Sequence, residues 1–299
     1  GYTSHDVVAR LRGILKQKKI GHTGTLDPAA EGVLPVCLGM GTRLCDMLTD
    51  RTKTYEAVML LGMTTDTQDT TGQVLEDRHH AAMGLEEAAV TEAVLGFKGD
   101  YDQIPPMYSA LKVDGKKLYE LARAGKEVER QARQVQILEI RVDKVELPRV
   151  WMTVTCSKGT YIRTLCHDIG GKLGCGGCME HLTRTRVDRF DIKDSLRLDE
   201  IERIRDEGGL DTCILPVETA LEGYAGLKVL PEADAFLYNG NPCFKGQLDA
   251  GNGCLDGLED GLRFRMYDSK GHFVGVYEYQ DSRHWWKPWK MFLAAPEHT

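Results

Sequence analysis

The sequence lacks any apolar run long enough to cross a bilayer and shows no secretory signal pattern. A membrane partner is therefore not expected, and a cytoplasmic location is. Nine cysteines, an odd number at uneven spacing, argue against a complete disulfide framework and for a reducing compartment. Only Cys175-Gly-Gly-Cys178 has redox or half-zinc spacing, and no second such pair or paired histidine follows it. No metal is expected there. The chain has no P-loop, no GxGxxG segment, no internal repeat and no low-complexity tract. It also lacks an excess of positive charge. Thirty-eight basic residues against 45 acidic ones give a net charge of −7, which argues against nonspecific nucleic-acid binding.

What is present is the composition of a globular protein, 42% hydrophobic and 28% charged over 299 residues. That length suggests two domains, each able to bury a core. Ser4 precedes a helical stripe of Val7, Val8, Leu11, Ile14 and Leu15, and is the expected N-cap. Helices are also predicted over 86–97, 116–124, 160–173 and 198–205, with Gly125 ending the second of these. Strands are predicted over 55–61, 135–145 and 150–156. Helices and strands mix without a strict βαβ rhythm, which predicts an α+β fold. After about residue 225 the texture changes. Short strands are predicted at 227–230, 264–267 and 273–279, around a Gly- and Asp-rich loop at 246–262. Trp285, Trp286 and Trp289, with Lys287 and Lys290, are expected to close a small core, base stacking being their other use.

Residues 105–135 hold seven Lys or Arg (112, 116, 117, 123, 126, 130 and 133) against four acids. Arg184, Arg186 and Arg189 cluster near residue 185. Taken alone, each run reads as a solvated face, but such patches also supply phosphate contacts in an otherwise acidic protein. The most informative stretch runs from Gly21 to Val36. It reads Gly-His-Thr-Gly-Thr-Leu-Asp-Pro-Ala-Ala-Glu-Gly-Val-Leu-Pro-Val and sets Asp27 among turn-forming residues.

That whole block resembles the catalytic motif of pseudouridine synthases of the TruB type, which isomerise uridine in the T-loop of tRNA. Further segments match in order: Lys53-Thr54-Tyr55-Glu56-Ala57, the stretch 62–69, Pro105 to Lys112, Leu118 to Arg123, Cys156 to Arg163, and His181 to Arg186. Together they span most of residues 1–220. Members of the family carry a Lys-Pro segment just before the position that is Gly1 here, and the expectation is that the chain is trimmed.

The resemblance implies a mixed, largely antiparallel sheet with flanking helices over 1–225, an RNA-binding thumb insertion at about 103–130, and a small β-rich PUA-like domain over 226–299. It implies Asp27 as nucleophile, Tyr55 packed on the target base and Arg163 paired with Asp27. His22, Lys112, Lys116, Lys117, Arg123, Leu182, Arg184 and Arg186 are the expected RNA contacts. The partner is the T-arm of tRNA, with no cofactor and no obligatory protein partner. The chemistry suits these residues. A carboxylate can act as nucleophile or base, and an arginine partner is expected to lower its pKa. Two other readings are a guide-RNA-dependent synthase, which lacks such an insertion, and a non-catalytic tRNA-binding or tRNA-folding protein.

Overall fold

The computed structural model describes residues 1–113, 115–253 and 255–293. Asp114 of the expected insertion, and Cys254 and 294–299 of the expected C-terminal domain, lie outside the described residues. Two compact units emerge. The first holds Gly1–Ala9, His22–Val36 and Asp46–Leu196, and the second holds Arg10–Gly21, Cys37–Cys45 and the described chain from Arg197 onward.

The first unit is built on one seven-stranded sheet. Its strands are β1 (Glu31–Gly32), β2 (Lys53–Leu61), β3 (Gly99–Gln103), β4 (Arg133–Glu146), β5 (Arg149–Cys156), β6 (Gly177–Val187) and β7 (Phe190–Asp191). Across the sheet the order is β7-β6-β2-β5-β4-β3. The short β1 lies parallel on β6, and every other pairing is antiparallel. β2 alternates because successive side chains point to opposite faces. Tyr55, Ala57, Met59 and Leu61 go inward, beside Val150, Met152 and Val154 of β5. Helices of this part of the chain include α1 (Ser4–Leu15), whose first residues belong to this unit, α2 (Glu87–Leu95), α3 (Leu118–Arg123) and α4 (Ile162–Lys172). Val90 and Val94 of α2 and Ile162, Leu165 and Ile169 of α4 close the core over that face. Each such side chain contributes about 1.5–3 kcal/mol on burial.

Two local expectations change. Thr3, not Ser4, caps α1: Thr3 Oγ1 accepts from the Asp6 amide at 3.1 Å, and the Asp6 carboxylate accepts from the Thr3 amide at 2.9 Å. This reciprocal pair satisfies two amides at once. Ser4 is 3% exposed, and its hydroxyl accepts from the Leu26 amide at 3.0 Å instead. In the insertion, α3 starts at Leu118 rather than at 116, because Lys112–Val113 and Lys116–Lys117 pair as a hairpin. Leu118 is buried and roots it, its amide donating to Leu111 O at 2.8 Å.

β6 lies between β7 and β2 in the sheet and is absent from the strands predicted above. Its inward row includes Arg184, and an irregularity between Met179 and His181 breaks the alternation. The second unit carries a five-stranded sheet of β8 (Ala225–Lys228), β9 (Cys243–Phe244), β10 (Arg263–Tyr267), β11 (Phe273–Gln280) and β12 (Trp285–Met291), in the order β8-β10-β11-β12-β9. Trp286 is 1% exposed and packs with Leu227, Phe264, Met266 and Tyr277. Trp285 and Trp289 stay half-buried. Together the units form the α+β architecture that the sequence predicts.

The Cys175-Gly-Gly-Cys178 segment is a packing device. A Cβ on Gly170 of α4 would lie 2.2 Å from the Gly177 nitrogen. Helix and strand therefore meet backbone to backbone. Gly170→Ala should cost about 1–3 kcal/mol by overpacking, read by chemical denaturation. Gly171→Ala, on the exposed side of the same helix, meets nothing within 4 Å and should be neutral or stabilise by up to about 1 kcal/mol.

Candidate active site

The loop that carries Asp27 is tied down at several points. Thr23 N donates to Pro35 O at 3.1 Å, and Ala30 N donates to Asp27 O at 2.9 Å. The second bond closes a turn with Pro28 at its second position, where the fixed φ of proline is favoured. Leu26 is held by Ser4. Val33 N donates to Arg184 O at 2.8 Å. Gly32 has φ +109°, and a Cβ there would lie 2.2 Å from Arg184 O. Only glycine allows both the conformation and the approach.

Arg163 stands in the first turn of α4, with a side chain 4% exposed. Its Nε lies 2.8 Å from Asp27 Oδ2. That N–H is not aimed along the contact, and the aligned hydrogen bond runs from Nη2 to Oδ1 at 3.4 Å. Nη1 donates to Thr67 O at 3.0 Å and Nη2 to Tyr108 O at 2.9 Å. A second carboxylate, Asp69, lies 3.8 Å from Nη1. Asp69 is fixed in turn by the Thr67 hydroxyl at 2.8 Å and the Thr71 amide at 3.0 Å. A buried guanidinium is thus held by carbonyls and carboxylates, which a desolvated charge requires.

The expected downward shift of Asp27 is not what the surroundings produce. Burial is the largest influence and pushes its carboxyl above the ordinary value; Arg163 opposes this, and the neighbouring Asp69 charge adds to it. The Asp27 side chain keeps 35% of its surface open, so the carboxylate remains reachable. Tyr55 is 7% exposed, and burial pushes its hydroxyl up to about 12, with Arg184 opposing and the Asp27 charge adding. It stays neutral over the physiological range. Leu182 is 5% exposed in the same core. His22 is half-buried, its Nδ1 makes no hydrogen bond, and burial lowers its pKa, assisted by His5 and Arg184.

Asp27, Arg163 and Tyr55 are therefore brought into one electrostatic neighbourhood. Lys112, Lys116, Arg123 and Arg186 are exposed, while Lys117 and Arg123 flank the Tyr119 ring at 5.3 and 5.4 Å. Arg184, expected to contact RNA, is 1% exposed, and its side chain donates to Val33 O at 2.7 Å and Gly24 O at 3.1 Å. Sequence reasoning missed Ser4 and Thr67 as supports, and it missed Asp69. The one available signal for Asp69 was its place at the end of the 62–69 segment.

Cys175 and Cys178 are buried free thiols. Burial raises both, Cys178 to about 11, so neither offers a thiolate near neutral pH. Among the described residues no group of three or more His, Cys, Asp or Glu is arranged to hold a metal ion. None of the described helices is long and apolar enough to cross a membrane.

The N-terminal domain of the TruB family of pseudouridylate synthases matches residues 12–162, and the C-terminal domain of tRNA pseudouridylate synthase B matches residues 163–222. The chain belongs to this family. A protein named tRNA pseudouridine synthase B from Lachnoclostridium phytofermentans is 51% identical over 98% of this chain and 96% of its own length. A protein of the same name from Clostridium kluyveri is 46% identical over 92% and 91%. In fold, the chain is similar to a solved H/ACA ribonucleoprotein bound to a substrate RNA containing 2′-deoxyuridine, with TM-score 0.71, 24% identity, and 98% of this chain and 82% of that one covered. A Cbf5-Nop10-Gar1 complex gives TM-score 0.68 at 26% identity, covering 98% and 82%. The fold is that of the pseudouridine synthases, and the C-terminal part is β-rich.

Carboxyl carbon NMR should place the Asp27 titration above the ordinary aspartate value of about 3.9. Asp69→Asn removes a like charge and should lower that midpoint. A midpoint that stays put in Asp69→Asn would show that the two carboxylates do not interact.

Proposed function

We propose that this chain isomerises uridine to pseudouridine in the T-loop of tRNA, at position 55, with Asp27 as the reacting carboxylate. The observation that carries the reading is the Asp27–Arg163 pair at 2.8 Å, with the guanidinium buried and the carboxylate open at its mouth. Relatives named tRNA pseudouridine synthase B at 40–51% identity support the substrate class.

The reaction breaks N1–C1′, turns the base and joins C5 to C1′, and the C5 hydrogen leaves as a proton. An ionised Asp27 serves as nucleophile at C1′ or at C6, or as the base that first takes the C2′ proton. Arg163 holds the carboxylate in place and favours its charged form against the penalty of burial. Tyr55 offers a flat, neutral ring to the base. The target uridine must leave its stack, at a cost of a few kcal/mol. The exposed Lys112, Lys116 and Arg123 of the insertion supply phosphate contacts for holding the loop while this happens. Residues 1–225 carry the chemistry and 226–299 add affinity. In that second part, Trp289 lies 3.7 Å from the Arg263 guanidinium, as measured to the ring centre.

The test incubates the protein alone with an unmodified tRNA transcript and maps pseudouridine. Modification confined to position 55 is expected. Asp27→Asn should abolish it while leaving tRNA binding nearly intact, and an Asn variant within about tenfold of wild type would remove Asp27 from the role. Activity that requires an added guide RNA and partner proteins would point to the guided class instead. Binding without turnover by the wild type would point to a folding or binding protein.

Arg163→Lys keeps the charge but loses the planar fork, so it cannot reach Thr67 O, Tyr108 O and the carboxylate together. Turnover should fall at least about tenfold. Equal activity in the Lys variant would mean that only a local positive field is needed.

A further inference from the structure

We infer that Arg184 is a positioning residue that clamps the Asp27 loop from beneath. Its two donors take the carbonyls of Gly24 and Val33, which stand on either side of Asp27 in the chain, at 3.1 and 2.7 Å. Its own carbonyl accepts from the Val33 amide at 2.8 Å. The loop is therefore held on both flanks by one residue of β6. Register makes this possible: Gly32 of β1 lies opposite Arg184, and Arg184 lies opposite Tyr55 of β2. One rung of the sheet thus joins the loop to the tyrosine.

The acceptors are neutral main-chain carbonyls, and the guanidinium has 1% exposure. A charge so placed is costly unless every donor is used, and burial lowers its pKa accordingly. Two charge-assisted bonds to backbone fix a loop more tightly than two neutral ones. Gly32 completes the device, because any side chain there would strike Arg184 O. Only Arg has both the reach and the two donor directions. Lys is a point charge and takes one carbonyl at a time.

The inference rests on Asp27 being the reacting carboxylate. Arg184→Lys and Gly32→Ala are compared with wild type for fold, for kcat and KM on tRNA transcript, and for amide exchange across residues 22–36. Arg184→Lys should fold, lose about 10²-fold in kcat through a misplaced carboxylate, and keep KM within about twofold. The Val33 amide, protected in wild type, should exchange faster in the variant. Gly32→Ala leaves the guanidinium in place, disturbs the same rung and should show the same split. Raised KM with intact kcat would make Arg184 an RNA-binding residue and overturn the clamp. So would full activity in both variants. If neither variant folds, the wild type still decides, since an unprotected Val33 amide contradicts the clamp. A wild type that makes no pseudouridine defeats the functional reading itself, whereas an active wild type with unimpaired variants defeats only the clamp.

Discussion

A guanidinium with 4% exposure must find its partners inside the protein, and Arg163 draws them from three parts of the chain. Thr67 supplies one carbonyl, Tyr108 another, and Asp27 and Asp69 supply charge. Much of the first unit can be understood as the support this arrangement needs. α4 presents Arg163 from its first turn, and the helix is seated against β6 by the Gly170–Gly177 contact. The connection between the paired strands Met63–Thr65 and Val74–Asp77 supplies Asp69 and Thr67, and the root of the insertion supplies Tyr108. The insertion thereby contributes a carbonyl to the surroundings of Arg163.

The electrostatics are balanced rather than one-sided. One arginine beside one carboxylate would hold Asp27 below its ordinary pKa, but burial and Asp69 turn the net direction upward. A carboxylate raised in this way is a better base than a free one. Tyr55 is pushed the same way, to about 12, and so stays a neutral ring. Two arginines divide the remaining work. Arg163 touches the carboxylate, and Arg184 holds the loop that carries it while facing the Tyr55 hydroxyl.

Much of this was legible in the sequence. The buried β2 strand, the alternation of β4 and β5, the Gly125 stop and the α4 span follow from hydrophobic pattern and turn chemistry. The Asp27, Tyr55 and Arg163 motifs stood out by their resemblance, in the same order, to those of the TruB family. Three features were hidden for physical reasons. β6 has a buried arginine in its inward row and an irregularity between Met179 and His181, so its alternation fails. β12 begins with Trp285-Trp286, which the sequence marks as core residues but not as a strand, because Pro288 interrupts the run. Arg184 looks like a phosphate contact because a sequence does not show which face of a strand is covered. The same blindness applies to Asp69, one acid among several in a short polar run. Its role exists only once the connection that carries it folds back toward α4.

The central claim is that an ionised Asp27 drives the isomerisation. Its most direct test measures tritium release from tRNA transcript labelled at uridine C5, across pH, with the protein alone. The acid limb of kcat/KM should coincide with the Asp27 carboxyl titration seen by NMR on the free protein, above the ordinary aspartate value of about 3.9. A release rate that stays flat through that titration would contradict the account.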